Sequence, residues 1–334
     1  IFSSLAQDYV RMNSLMPAEL PEGRMIALVG DAELDEGNIF EALLEGWKKD
    51  VRNVWWVIDY NRQSLDSVIS DRLFGQIDKL FRTMGWRVST MKYGKLLERA
   101  FMAPGGDALR DWIDNCPNSL YSALTYKGGA GWREHLKRDI GTASGIKALL
   151  DEHDDASLRD LMTNLGGNDL ETVLQAFHAI EDDTPTCFIG YTVKGFGLPF
   201  AGHKDNHAGL MDEDQMAAFK TAMGIADGEE WERFSGLDVA AEELQAFLDE
   251  VPFAGRYPRR YQSPRIKIPA QFEPPTGYKL STQEGFGRIL NDIARSDSDL
   301  AHRIVTASPD VTVSTNLGPW VNRRGIFHRS ESSD

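Results

Sequence analysis

Cysteine is nearly absent: Cys116 and Cys187 are the only two in 334 residues. Two thiols so placed offer neither a disulfide framework nor a CxxC metal pair, and their scarcity points to an intracellular, cytoplasmic setting. Long apolar runs are missing too. No stretch approaches the ~18 residues of a membrane helix, so no membrane span is expected. Positive charge is in short supply, with 36 basic against 51 acidic residues and a formal charge of −15. A general nucleic-acid binder carries a basic footprint, so that class is disfavoured. A starting Met and a charged-then-apolar leader are also lacking. Ile1 opens directly into the helix-like IFSSLAQDYVRM, and the expectation is a chain that begins in mid-protein. What remains is an ordinary globular composition, long enough for more than one core.

The most informative stretch runs from Met25 to Leu65. Met25 to Val29 is a short apolar run, a candidate buried strand. Gly30-Asp31-Ala32 breaks it. Glu36 to Trp47 then places Phe40, Leu43, Leu44 and Trp47 on one helical face. Val54 to Ile58 is a second apolar run, ending in Asp59-Tyr60-Asn61-Arg62-Gln63. Strands joined by one helix are usually parallel, and open α/β sheets bind ligands beyond the carboxyl ends of their strands. Asp31 and Asn61, with Gln63 close by, are hard oxygen donors. They suit Mg²⁺ or Ca²⁺ better than zinc. Mg²⁺ usually bridges to phosphate, which suggests a metal-bound di- or triphosphate. A plain alternative stands beside this: Gly-Asp or Asn after a strand is often just a turn and a helix cap.

GDAELDEGN followed by DYN resembles the thiamine-diphosphate motif, Gly-Asp-Gly, a spacer near this length, then Asn-Asn or Asn-x-Asn. The resemblance implies that Asp31 and Asn61 bind Mg²⁺, that Gln63 adds an oxygen, and that the metal anchors thiamine diphosphate against Gly30, Asp31, Ala32, Glu33 and Asn61. Two positions depart from it. Ala32 stands for a glycine, which removes backbone freedom but no ligand. Asp59 stands for the first Asn and adds a carboxylate.

Along the rest of the chain, residues 1 to 16 read as a helix, and Ser64 to Thr83 is mainly helical. Gly85 to Val88 is a third strand candidate, and Leu96 to Met102 and Asp107 to Asn115 are helical. Ser119 to His135 lacks obvious periodicity and reads as a glycine-broken loop with a charged cluster. Asn168 is a candidate N-cap, with Glu171 three residues on, for a helix to Ile180. Thr186 to Thr192 is a buried strand. At its end, Val193-Lys194-Gly195-Phe196-Gly197 precedes a segment bearing His203 and His207; a Gly-rich strand end with Lys and His can receive a phosphate. Residues 212 to 250 are acidic and helical, with Trp231 and Phe234 as apolar anchors. Residues 251–278 are rich in Pro and basic residues and read as an extended linker. Thr282 to Ile293 is a helix with Phe286, Ile289, Leu290 and Ile293 apolar, and Arg303 to Ala307 is a strand candidate.

Lys127-Gly128-Gly129-Ala130-Gly131-Trp132-Arg133-Glu134-His135 resembles a segment of the single-chain, homodimeric pyruvate dehydrogenase decarboxylating component. Gly166-Gly167-Asn168-Asp169 and Lys194-Gly195-Phe196-Gly197 resemble later turns of that family, in the same order. The resemblance implies an α/β, parallel-sheet thiamine-diphosphate-binding fold. Its diphosphate-binding domain would span 1–250, a linker 251–278, and the start of a similar pyrimidine-binding domain 279–334. It implies decarboxylation of a 2-oxo acid, with pyruvate as the first choice, and acyl transfer to the lipoyl group of a dihydrolipoyl transacetylase partner. It also implies a homodimer, with Lys194 facing the diphosphate or the substrate carboxylate. His207, or failing that His203, would orient the reacting groups or transfer a proton. The glutamate that activates the aminopyrimidine in that family is not recognisable here, so this stretch alone is expected to be inactive. Transketolase-type transfer between sugar phosphates and a non-catalytic, metal-binding scaffold remain as alternatives.

Overall fold

Among the described residues, four strands form one sheet: β1 (Met25–Gly30), β2 (Val54–Tyr60), β3 (Arg87–Met91) and β4 (Thr186–Tyr191). Their order is β1-β2-β4-β3, and every pair is parallel. This computed structural model describes residues 1–16, 22–63, 73–203, 206–207, 209–251, 265–277, 279–308 and 311–327. The chain divides into two units, Ile1–Gln7 with Pro21–Ala240 and Asp8–Leu20 with Ala241–Asp334.

In the first unit, both faces of the central strands β2 and β4 are covered, which explains their near-continuous apolar runs. Val54, Trp56, Ile58 and Tyr60 join the larger core, while Trp55 joins Met91 and Phe188 in a smaller one. Helix α1 (Phe2–Met12) brings Ile1 and Leu5 to the larger core. Helix α2 (Gly37–Lys48) crosses from β1 to β2. Helix α3 (Leu73–Thr83) seats Phe81 edge-on between Trp56 and Trp86. Helices α4 (Lys95–Phe101), α5 (Gly106–Asn115), α6 (Asn118–Ile140), α7 (Ile146–Glu152) and α8 (Asp155–Thr163) come next. Helix α9 (Leu170–His178) covers the other face, with Phe177 against Trp55 and Phe188. Helix α10 (Glu213–Ala222) completes the elements of this unit.

The register fixes where the strands end. Gly30 pairs with Asp59, and Asp59 with Gly190. The carboxyl ends of β1, β2 and β4 therefore finish at one level.

Several expectations need correction. Residues 119–135 are not a loop but most of the 23-residue helix α6, broken only at Gly128, whose φ is 74°. Tyr121, Leu124, Thr125, Trp132 and Leu136 are buried along it, and that packing overrides the low helix propensity of glycine. Gly129 is needed for close approach, because a Cβ there would lie 1.7 Å from the carbonyl oxygen of Asp155 in α8. Arg133 is no solvated charge either: it donates to Asp155 Oδ1 and to the carbonyls of Leu150 and His153.

β1 is an edge strand, and Ile26 and Leu28 on one of its faces are exposed. On α2, Leu43 is buried, but Phe40, Leu44 and Trp47 are exposed. Asp169, not Asn168, caps α9 by accepting from the Thr172 amide; Asn168 Oδ1 instead accepts from the Val193 amide. Trp231 anchors nothing at 97 % exposure. Residues 64–72, the start of the expected helix, lie outside the described residues.

The second unit contains helices α11 (Ala241–Glu250), α12 (Thr282–Ser296), α13 (Asp299–Arg303) and α14 (Gly318–Arg324). Ser281 and Glu284 form a capping box at the start of α12. Leu290, Ile293, Ala294, Ala301, Leu317 and Trp320 make a small core, and Phe286 is exposed. Residues 304–307, expected as a strand, are unpaired, since the described residues of this unit offer no strand to pair with. In the expected linker, residues 265–277 have no regular structure, and 252–264 lie outside the described residues.

Candidate functional site

The segments after β2 and β4 line one cleft, with Asn61, Arg62, Gln63, Val193, Lys194 and Gly202, and Tyr121, Ser122 and Thr125 from α6 are its wall. Asp31 follows β1 directly and opens a short 3₁₀ turn, Asp31–Asp35. Its carboxylate is 2 % exposed and accepts the Arg62 amide at 2.7 Å, tying the end of β1 to that of β2. No ion pair to Asp31 exists among the described residues. Burial, with Asp59 adding like charge, pushes its carboxyl up to about 6 against the pull of the Arg62 amide.

Asp59, Asn61 and Gln63 are linked in turn. Asn61 Nδ2 donates to Asp59 Oδ2 at 3.2 Å, and Asn61 Oδ1 accepts the Gln63 amide at 3.0 Å. Thr192, just past β4, donates its hydroxyl to Asp59 Oδ1. Gln63 Nε2 donates to Ser122 Oγ and the Gly202 carbonyl, but its Oε1 is buried without a partner.

A divalent cation fits this chemistry. Buried carboxylates are normally paired or bound to a metal, and Asp31 makes no ion pair among the described residues. The orphaned Gln63 oxygen is an acceptor waiting for a donor or a cation. The described residues contain no cluster of three His, Cys, Asp or Glu able to hold a metal. The candidate set therefore depends on amide oxygens, which suits a hard ion completed by phosphate or water.

The other expected site residues divide. Gly30 and Ala32 flank Asp31, but the Glu33 carboxylate is occupied in accepting the Gly30 amide at 2.9 Å. Lys194 lines the cleft, and its charge lowers Asp31 slightly. His203 follows the cleft residue Gly202 and rests its ring 4.7 Å from that of Tyr126. His207 is exposed, and neither histidine lines the cleft.

Residue-by-residue reading missed Thr192, Ser122 and Thr125, which arrive from distant elements without a local signal. It also passed over Arg62, although Arg62 lies inside the motif. Arg62 sits in left-handed backbone at φ 66° and is 8 % exposed, with its guanidinium carbon 4.3 Å from the Tyr121 ring centre.

No family model matches the chain. It is 23 % identical over 344 residues to the pyruvate dehydrogenase E1 component of Pseudomonas aeruginosa, covering 98 % of this chain and 38 % of that one. It is 26 % identical over 332 residues to the E1 component of Corynebacterium glutamicum, covering 90 % and 34 %. With the Escherichia coli E1 component the match is 25 % over 186 residues, 54 % of this chain and 20 % of that one. The chain thus spans little more than a third of the length of the curated relatives it matches. The likeness first seen in the order of the motifs extends over most of the chain, and the chain is similar to one part of the pyruvate dehydrogenase E1 components.

Proposed function

We propose that this chain is the diphosphate-binding part, with the beginning of a pyrimidine-binding domain, of a thiamine-diphosphate enzyme that decarboxylates a 2-oxo acid. Pyruvate is the substrate favoured by the names of its relatives. One observation carries the reading: two level strand ends present Asp31 beside Asn61 and Gln63, with a buried carboxylate and a buried amide oxygen left for a cation. In this reading Asp31, Asn61 and Gln63 hold Mg²⁺, and the cleft beside Lys194 takes the diphosphate. When bound, thiamine diphosphate supplies a nucleophilic carbon and an electron sink for loss of carbon dioxide.

The chain's own residues bind and orient. The Arg62 amide fixes the Asp31 carboxylate, Asn61 braces Asp59, and Ser122 and Gly202 hold the Gln63 amide group so that its oxygen is free. His207 or His203 would come to the site from the segment after β4 to orient the substrate or move a proton. The whole enzyme is proposed to work as a cytoplasmic homodimer and to pass its acyl group to the lipoyl arm of a transacetylase.

The test is calorimetry of the full-length protein with thiamine diphosphate and Mg²⁺, followed by assays with pyruvate and a dye acceptor and with xylulose and ribose phosphates. Binding that is lost in Asp31→Ala, together with pyruvate turnover, is expected. Turnover of sugar phosphates alone would make the protein a transketolase-type transferase, and no cofactor binding would make it a scaffold.

A further inference from the structure

Arg62 carries a charge that it cannot shed, since a guanidinium stays protonated in proteins. A buried charge is costly unless it is paired and hydrogen-bonded. Yet Arg62 is 8 % exposed and makes no ion pair among the described residues. Its hydrogen bonding is thin. One Nη donates to the Thr192 carbonyl at 3.4 Å, and Nε is buried without a partner. The Tyr121 ring beneath it, at 4.3 Å, and the Tyr191 ring, at 5.8 Å, supply the rest. Both rings sit in or beside the core, and Tyr121 is anchored through its hydroxyl to the Met162 carbonyl. The platform is therefore rigid, while the guanidinium laid on it keeps spare donors.

Position points the same way. Arg62 lies between Asn61 and Gln63, and all three line the same cleft as Lys194. Its backbone amide serves Asp31 at 2.7 Å, while its guanidinium lies on Tyr121 and reaches the Thr192 carbonyl. The chain also accepts a left-handed residue to put Arg here, a conformation that costs an ordinary side chain about 1–2 kcal/mol. Glycine or asparagine would satisfy the backbone better.

Resting on the function proposed above, we propose that Arg62 binds the cofactor's diphosphate. Its guanidinium, stored on Tyr121, takes phosphate oxygens of the diphosphate that the metal holds beside it. A planar fork suits two phosphate oxygens at once. A monocarboxylate substrate would not need a cation set between two metal ligands.

The experiment uses the full-length protein, its Arg62→Asn variant, which tolerates left-handed backbone, and Arg62→Lys, which keeps the charge but loses the fork. Each is titrated calorimetrically with Mg²⁺–pyrophosphate, Mg²⁺–thiamine diphosphate and thiamine monophosphate at several salt concentrations. Arg62→Asn is expected to weaken both diphosphates by ~10–100-fold, to affect the monophosphate less, and to flatten the salt dependence. Arg62→Lys is expected to fall between, with melting temperatures close to wild type. If Arg62→Asn binds Mg²⁺–pyrophosphate as the wild type does, while Asp31→Ala does not bind it, the assignment is overturned and the proposed function stands. A change confined to the KM for pyruvate overturns it as well, and moves the guanidinium to the substrate. A wild-type protein that binds neither diphosphate overturns both.

Discussion

Two charged clusters occupy the carboxyl edge of the same sheet. At the ends of β1 and β2, among the described residues, Asp31 and Arg62 make no ion pair and Gln63 Oε1 is buried without a hydrogen-bond partner. At the end of β3, the groups use one another up. Lys92 and Tyr93 both donate to Asp114 Oδ1, and Arg110 approaches Asp114 Oδ2 at 3.9 Å. The pKa directions reflect the difference. Burial drives Asp31 up. Burial also acts on Asp114, but the hydrogen bonds from Lys92 and Tyr93 outweigh it and hold Asp114 below the ordinary carboxylate range. The same kind of residue at the same edge of one sheet is thus finished in one place and left open in another. Open buried polar groups mark a place for a ligand, and closed ones mark structure.

The sharpest way to break this contrast is to measure cofactor binding. Asp31→Ala should weaken Mg²⁺–thiamine diphosphate by more than ~100-fold, whereas Asp114→Ala should leave it within about twofold; calorimetry reads both. Next in size is Gly129→Ala, which drives a methyl group into the Asp155 carbonyl and forces α6 from α8. A loss of roughly 3 kcal/mol is expected in urea unfolding. It should also weaken the cofactor, because α6 carries Ser122 and Thr125 to the open cluster.

Smaller effects separate the two carboxylates by pH. The raised Asp31 binds its proton more tightly folded than unfolded. Its contribution is fully present below about pH 4 and is lost as pH rises through about 6. Asp31→Asn in metal-free protein should therefore be more stable than wild type at pH 8, by roughly 2–3 kcal/mol, with the gap closing near pH 4. Saturating Mg²⁺ and cofactor should reverse the order. For Asp114 the sign is opposite: its contribution is present above about pH 4 and fades below it. Asp114→Asn should cost only about 1 kcal/mol at pH 7, since a partly exposed carboxylate is screened by solvent. Thermal melts across pH check both.

The open cluster was partly legible in sequence because its core is local. Strand, Gly-Asp, helix, strand and Asn-x-Gln can be read from Met25 to Gln63, and a parallel pair joined by one helix leaves those oxygens little choice of place. The cleft wall was not legible. Its helix carries glycines at 128, 129 and 131, and what holds it helical is burial of Tyr121, Leu124 and Trp132 against distant residues. The Arg133 segment read as a charged loop for the same reason: its acceptors are carbonyls near the end of α7. Arg62 escaped because the motif was read for oxygens, and a cation between two of them has no place in a ligand count. The apolar stripe of α2 was over-read, since periodicity names a face but not its cover; only Leu43 is fully inside.

The parallel ladder between β1 and β2 also works as a ruler. Asp31 and Asn61 are brought together only because Gly30 stands opposite Asp59. One residue gained or lost in β1 would slide Asp31 by about 3.3 Å along the strand and turn its side chain to the opposite face. A magnesium–oxygen bond is only ~2.1 Å long and tolerates a few tenths of an ångström. The sheet could survive such a slip by re-pairing, but the proposed coordination sphere could not. Strand length, which ordinarily answers only to packing, is on the proposed function held to single-residue accuracy by chemistry at its tip.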